Sequence, residues 1–143
     1  MTVKAILEEK GHDVFTLGPN ATLKDAIQVL ADNRIGALVV TGADRKIVGI
    51  LSERDIVRTL SKDGAEALDR HVRACMTAKV KVCNERHTVN EVMEIMTRGR
   101  FRHLPVEKDG RLDGIVSIGD VVKRRIEDVE KEAEEIRTYI ATA

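Results

Sequence analysis

Aromatic residues are nearly absent from this sequence: its 143 residues include two phenylalanines, one tyrosine and no tryptophan. Hydrophobic residues still make up 43% of the chain, so a core must be built from Val, Ile, Leu, Ala and Met. The 24 basic residues are balanced by 24 acidic ones. A neutral chain with so few aromatics is poorly suited to binding nucleic acid through charge or base stacking, so we expect no nucleic-acid partner.

Long apolar runs and cysteine clusters are also missing. No stretch of about 18 apolar residues occurs, which argues against a transmembrane helix and a membrane partner. Charged residues follow the first few apolar ones, unlike the pattern of a secretory signal. Cys75 and Cys83 are too few for a four-ligand metal site and form no CxxC pair. We therefore expect reduced thiols and a cytoplasmic location.

One sequence unit is present twice. Thr22 recurs as Thr88, 66 positions later, and Asp55 recurs as Asp120, 65 positions later. The single deleted residue falls in a polar turn, where a true duplication tolerates a change in length. An internal repeat is therefore the simplest explanation of the pattern.

Each unit predicts the element order β-α-β-β-α, with one apolar helical face and a hairpin of two short apolar runs. In the first unit these elements are a strand at 14–17, a helix opened by Thr22, a hairpin of 37–40 with 47–51, and a helix from Ser52. In the second they are a strand at 80–83, a helix opened by Thr88, a hairpin of 104–106 with 112–116, and a helix from Ser117. A unit of this size covers its sheet poorly on one face. We therefore predict a mixed α/β fold of the α+β kind, with two repeats packed sheet to sheet around a shared core and related by a pseudo-twofold axis.

The repeats divide the chain into five segments. We predict a lead-in helix at 1–13, the first repeat at 14–60, a linker at 61–79, the second repeat at 80–126, and a C-terminal helical extension at 127–143.

The C-terminal segment carries a second pattern. Its apolar residues are spaced 4, 3, 4, 3 and 4 apart, which is the seam of a coiled coil: Val122, Ile126, Val129, Ala133, Ile136 and Ile140. An exposed apolar stripe of this kind indicates an interface, and a homodimer is the commonest solution. Alternatively, Ile6 and Leu7 of the lead-in helix cover part of the stripe and the protein is a monomer.

A G-h-h-S-x-x-D motif, in which h is apolar, occurs in both units. It places Ser52 three residues before Asp55, and Ser117 three residues before Asp120. One interpretation is helix capping, since serine accepts a backbone N–H and an acid suits the first helical turn. The other is a nucleotide site, since a helix N-terminus attracts anions and a carboxylate there can accept both hydroxyls of a ribose. The spacing leaves both interpretations open.

A basic segment comes directly before a predicted strand of the second unit. Arg100, Arg102 and His103 precede the strand, and Pro105 lies within it, which favours an edge or a bulge. At the mouth of a strand Arg102 and His103 could hold phosphate, because a guanidinium offers a fork of donors. The alternative is a solvated basic cluster beside acidic helix ends.

Signatures of catalysis are missing from the chain. It has no GxGxxG or GxxxxGK[ST] motif, and no set of nucleophile, base and orienting residue can be identified. We therefore expect that the protein is not an enzyme and requires no cofactor.

The paired units resemble tandem cystathionine-β-synthase (CBS) domains, also called a Bateman module. The resemblance rests on the two G-h-h-S-x-x-D motifs at 49–55 and 114–120, on the Leu-Pro-Val strand at 104–106, and on residues 72–77 leading into the second unit. It covers about residues 1–128 and implies a free-standing sensor that binds an adenine nucleotide in the cleft between the repeats. Family ligands include AMP, ADP, ATP, S-adenosylmethionine and NAD(H), of which we expect AMP, ATP or NAD(H) here.

The resemblance also implies roles for individual residues. The acid of each motif, Asp55 or Asp120, would bind ribose, and Ser52 or Ser117 would lie beside the ribose or phosphate. Residues before the Leu-Pro-Val strand would reach the phosphate of the nucleotide held by the other repeat. This pairs Asp55 with the phosphate-binding residues Arg102 and His103, as in the regulatory gamma subunit of AMP-activated kinase, and Arg54 could add a cation.

The resemblance further implies unequal sites. The site around Asp120 is expected to face Gly36 and Ala37, which carry no cation, and it has Gly119 where the first motif has Arg54. We therefore expect weak nucleotide binding there.

Two classes of function remain open. One is a regulatory module that reports adenylate or NAD(H) status to an unidentified protein target. The other is a structural dimerisation module without a physiological ligand. The two motif acids and the Arg102–His103 cluster favour the first.

Overall fold

The computed structural model of the protein describes residues 1–142, so Ala143 of the predicted extension lies outside it. The helices are α1 (Val3–Lys10), α2 (Leu23–Asn33), α3 (Glu53–Asp63), α4 (Val89–Gly99) and α5 (Ile118–Thr142). The strands are β1 (Thr16–Leu17), β2 (Ala37–Thr41), β3 (Ile47–Ser52), β4 (His103–Lys108) and β5 (Arg111–Ser117). Short 3-10 turns lie at Ala43–Arg45, Gly64–Asp69 and Val72–Ala74. None of the helices in residues 1–142 combines the length and the apolar character needed to span a membrane.

The helix starts follow directly from local side-chain chemistry. Thr22, Ser52 and Thr88 each accept a hydrogen bond from the backbone three residues on, and the acid at that position accepts one from the backbone of the capping residue. This reciprocal arrangement is the capping box, which satisfies two otherwise unpaired N–H groups. The predicted helix starts are confirmed.

Both predicted hairpins are present. In the first repeat, β2 pairs antiparallel with β3 and parallel with β1, which gives a three-stranded sheet. In the second, β4 pairs antiparallel with β5.

The predicted strand at 80–83 is wrong, because only Cys83 reaches the second sheet. Its N–H donates to the Pro105 carbonyl over 3.0 Å, and its carbonyl accepts from Glu107 over 2.8 Å. Pro105 stands where the first repeat has Val39, which pairs with Thr16 of β1. Proline has no N–H, so the next hydrogen bond of the ladder cannot form and the pairing stops at a single bridge.

Each repeat has its own core, so the expectation of one shared core is wrong. One buried cluster is centred on Leu38, Val40 and Leu51 of the first repeat, and a separate one on Leu104, Val106 and other residues of the second. The other faces of the central strands are also buried, as Ala37, Val39 and Pro105 show. Since neighbouring strand residues point to opposite faces, the sheets are covered on both sides, as sheet-to-sheet packing of the repeats requires.

Each of the two segments that precede a repeat packs into the core of the other repeat, so the segments are exchanged within the chain. Ile6 and Leu7 of α1 are buried in the core of the second repeat, whereas Val72 of the linker is buried in the core of the first, with Met76 packed against it. Ile6 and Leu7 therefore do not cover the C-terminal stripe.

Glycine in each G-h-h-S-x-x-D motif makes this exchange possible. A Cβ at Gly114 would lie 2.8 Å from Cδ2 of Leu7, and a Cβ at Gly49 would overlap the side chain of Met76. A larger residue at either position would force the side chain of Leu7 or Met76 out of its packed position.

We predict that Gly49→Ala lowers the free energy of unfolding by about 1–3 kcal/mol, because the new methyl group overpacks the contact with Met76. Urea unfolding followed by circular dichroism measures the change. Gly18→Ala is the matched control, because a Cβ at Gly18 meets nothing within 4 Å. Equal stability of the two variants would contradict the proposed role of Gly49.

Candidate functional site

A cleft of about 430 Å³ lies between the two repeats. The first repeat contributes residues from the start of β2, the end of β3 and the first turns of α3: Gly36, Ala37, Ile50, Ser52, Glu53, Arg54, Asp55 and Arg58. The linker and second repeat contribute Thr77, Lys79, Val80, Lys81, Gly99, Arg100, Phe101, Arg102 and His103. The structure therefore brings together five predicted site residues that are far apart in sequence: Ser52, Arg54, Asp55, Arg102 and His103.

Asp55 is held by the cap at the start of α3. Its Oδ2 accepts from the Ser52 amide over 2.9 Å and from the Ser52 hydroxyl over 3.1 Å. Its Oδ1 has only longer contacts, 3.4 Å to Oγ1 of Thr77 and 3.8 Å to Nη1 of Arg58. Asp55 is 8% exposed and is the one charged residue of the described chain that is buried. The capping interpretation is thus confirmed, and it leaves one carboxylate oxygen available to a ligand.

The second repeat supplies the opposite wall of the cleft. The guanidinium of Arg54 donates to the Arg100 carbonyl over 3.0 Å, which ties the two walls together. A Cβ at Gly36 would lie 3.2 Å from Cε1 of His103, so the small residue gives the imidazole its space. Gly36 and Ala37 also line the cleft of Asp55, and their expected position at the Asp120 site stays a prediction.

Positive charge dominates the cleft. It is lined by two acids, Glu53 and Asp55, and by six Lys or Arg residues: Arg54, Arg58, Lys79, Lys81, Arg100 and Arg102. Such an excess in a concave site favours a ligand that carries several negative charges. Arg58, Lys79 and Lys81 were not identified from the sequence. The sequence contains only a weak indication that these residues line the cleft. Arg58 lies one helical turn after Asp55, and Lys79 and Lys81 alternate along a segment that leads into the predicted strand.

His103 is half-buried at the inner end of this wall. Burial lowers the pKa of its imidazole below the ordinary value, with Lys10 and Arg102 acting in the same direction and Glu53 and Asp120 against it. The side chain is therefore mainly neutral at pH 7 and suited to hydrogen bonding more than to charge neutralisation.

The second motif has the same cap but a different environment. The Ser117 amide donates to Oδ2 of Asp120 over 2.8 Å, and the Asp120 amide donates to the Ser117 hydroxyl over 3.2 Å. The ammonium of Lys10 lies 2.7 Å from the same Oδ2 and donates to the Ile115 carbonyl over 3.0 Å. Partial burial acts to raise the pKa of Asp120, but Lys10 and Ser117 outweigh it and hold that pKa below its ordinary value.

Lys10 occupies the place that a backbone amide takes in the first repeat. Ile115 corresponds to Ile50, whose carbonyl accepts from the Thr77 amide over 2.9 Å. Oδ1 of Asp55 has the hydroxyl of Thr77 at 3.4 Å and the guanidinium of Arg58 at 3.8 Å. The ammonium of Lys10 lies much closer to Asp120, at 2.7 Å. A ribose at Asp120 would meet a carboxylate whose Oδ2 already accepts from Lys10 and from the Ser117 amide.

The chain belongs to the CBS domain family, whose model matches residues 3–62 and 72–127. The matches begin with the exchanged segments, so the family unit includes them. The CBS domain-containing protein CBSX3 of Arabidopsis thaliana, a mitochondrial protein, is 34% identical over 97% of this chain and 71% of its own length.

Solved structures show the same family and fold. The CBS-domain containing protein ATU1752 of Agrobacterium tumefaciens is 49% identical, with a TM-score of 0.84 over 87% of this chain and 99% of its own. The CBS domain pair of protein MJ0100, solved with 5′-methylthioadenosine and S-adenosyl-L-methionine, is 25% identical, with a TM-score of 0.79 over 90% and 98%. The resemblance and the mixed α+β fold predicted from the sequence are confirmed.

We predict that Lys10→Met strengthens adenine-nucleotide binding at the Asp120 site at least tenfold, because removal of the ammonium frees a carboxylate for charge-assisted hydrogen bonds. Titration calorimetry with AMP should show one strong site in the original chain and a second in the variant. Lys4→Met, an exposed change on the same helix, is the control. Two equally strong sites in the original chain would contradict the predicted inequality.

Proposed function

We propose that the protein is a regulatory module that binds an adenine nucleotide (AMP, ADP, ATP or NAD(H)) in the cleft between its repeats. The observation that carries the proposal is the position of Asp55. Its available Oδ1 lies at one wall of a cleft whose other wall holds Arg102 and His103.

The lining of the cleft suits the parts of such a ligand. Oδ1 of Asp55, with Ser52 beside it, would accept the ribose hydroxyls. Arg54 and Arg102 would contact phosphate, where a guanidinium can make two parallel hydrogen bonds. Ile50, Val80 and Phe101 offer apolar surface for a base, and about 430 Å³ lies within the usual range of small-molecule sites.

The relatives support this class of ligand. Both small molecules named with the MJ0100 domain pair contain adenosine. The part they share, adenine with ribose, is the part that Asp55 and the apolar lining would recognise. The cations of this cleft, which outnumber its acids six to two, would in addition bind the phosphate of a nucleotide.

A regulatory role fits the architecture better than catalysis. The cleft residues bind charge and ribose hydroxyls, and no activated nucleophile is recognisable among the residues that line it. A ligand there would contact both repeats at once. We propose that this occupancy is passed to a protein target whose identity stays open.

We predict that Asp55→Ala weakens AMP binding about ten- to a hundredfold, because charge-assisted hydrogen bonds contribute roughly 1.5–3 kcal/mol. Titration calorimetry measures the affinity. The change also removes a helix cap, so Asp25→Ala, which breaks the equivalent cap of α2 outside the cleft, is the matched control. Both variants should lose stability because each breaks a helix cap, but only Asp55→Ala should lose affinity. Unchanged AMP affinity in folded Asp55→Ala would refute the proposed site.

A second function has its own support. Five large apolar side chains of α5 are 41–68% exposed, namely Val122, Ile126, Val129, Ile136 and Ile140. Since Ile6 and Leu7 are buried elsewhere, we propose that a second copy of the chain covers this stripe. Dimerisation and nucleotide binding use different surfaces and are compatible.

We predict that the protein is a dimer and that Ile136→Glu makes it a monomer, because a buried glutamate at the seam is left without a partner. Light scattering at micromolar concentration measures the mass. Val57→Glu is the control, since Val57 is an equally exposed apolar residue on α3. A dimer disrupted by Val57→Glu but not by Ile136→Glu would show that the repeats, rather than α5, supply the contact.

A further inference from the structure

Helix α5 extends well past the second repeat. It runs from Ile118 to Thr142, which is about 37 Å at 1.5 Å per residue. From Glu130 to Thr142 every residue except Ala133 is exposed. The apolar stripe therefore continues where the protein's own repeats no longer cover it.

The residues that flank the stripe carry an ordered set of charges. With Ile126, Ala133 and Ile140 at the a positions of a heptad, and Val122, Val129 and Ile136 at the d positions, the flanking e and g positions follow. The e positions hold Lys123, Glu130 and Arg137, and the g positions hold Arg125, Glu132 and Tyr139. In coiled coils these positions decide the orientation of the partner helix.

Parallel pairing joins opposite charges. In that orientation a g residue faces the e residue five positions later on the other helix. Arg125 then faces Glu130 of the second copy, and Glu132 faces its Arg137. Both pairs are attractive, and the symmetry of the dimer forms each of them twice.

Antiparallel pairing joins like charges. With the stripes fully overlapped, e faces e and g faces g. Glu130 then faces Glu130 of the second copy, Glu132 faces Glu132, and Lys123 faces Arg137. All three pairings of charged residues are repulsive in this orientation.

We propose that two copies of the chain associate through their α5 helices as a parallel, in-register coiled coil, the orientation in which the charges flanking the exposed stripe are complementary. The proposal rests on the dimer proposed above and adds its geometry. Both pairs of repeats then lie at the same end of the helical pair, and the two C-termini lie together at the other end.

Disulfide trapping tests the orientation. The variant is Val122→Cys with Ile140→Cys, in a chain where the free Cys75 is replaced by serine and the buried Cys83 is kept. In a parallel pair each new cysteine lies beside its own copy. In the antiparallel pair residue 122 lies beside 140, and equal residues are separated by about 27 Å, far beyond the reach of a disulfide.

Glutathione oxidation followed by peptide mass spectrometry identifies the links. The expected products are 122–122 and 140–140 links between chains. Links between 122 and 140 would overturn the parallel orientation while leaving the dimer intact. A monomeric mass with no links would overturn the dimer itself, and nucleotide binding, measured separately on the same protein, is independent of both results.

A charge change with opposite consequences in the two orientations gives a second test that does not use cysteine. Arg137→Glu faces Glu132 in the parallel pair and Lys123 in the antiparallel one. We expect the dimer dissociation constant to rise on the order of tenfold, as two attractive pairs become repulsive. Glu134→Gln is the control, because Arg137 lies 3.5 Å from Glu134 in its own helix and loses that contact too. A tighter Arg137→Glu dimer would overturn the proposal.

Discussion

The reciprocal hydrogen bonds between Ser52 and Asp55 are the interaction on which the site depends. They start α3 directly after β3, and they hold a buried carboxylate at the cleft with one oxygen engaged and the other directed away from the cap. A carboxylate in this position would otherwise be costly to bury, and the cap offsets that cost. The same bonds therefore define both the helix start and the position of the carboxylate in the proposed site.

The two repeats show how one motif yields two environments. Ser117 and Asp120 reproduce the cap, but Lys10 bonds to the second carboxylate where Thr77 makes only a distant contact with the first. The difference arises from the exchanged segments, since α1 delivers Lys10 to the second repeat and the linker delivers Thr77 to the first. The caps are alike in the two repeats, and the leading segments make the surroundings of the two carboxylates different.

Local chemistry made much of this fold predictable. The starts of α2, α3 and α4 and both hairpins follow from residues close together in sequence. The errors involve distant partners. The strand at 80–83 fails because of the missing N–H of Pro105, and the predicted shared core is replaced by two clusters, one of which α1 completes from the other end of the chain. Within the site, Asp55 and Arg102 were identified, but the ion pair of Lys10 with Asp120 spans 110 positions and no spacing rule could indicate it.

A ligand in the cleft would contact two units that have separate hydrophobic cores. Asp55 belongs to the first repeat, whereas Arg102 belongs to the second, which packs against α5. A nucleotide held by both would add contacts between two units that otherwise keep separate cores, and it would stabilise their relative arrangement in proportion to its occupancy. Since α5 follows directly from the second repeat and carries the exposed stripe, that arrangement would set where the first repeat lies relative to the second copy in the proposed dimer. A ligand held by both repeats would thus couple their relative arrangement to the position of the exposed stripe.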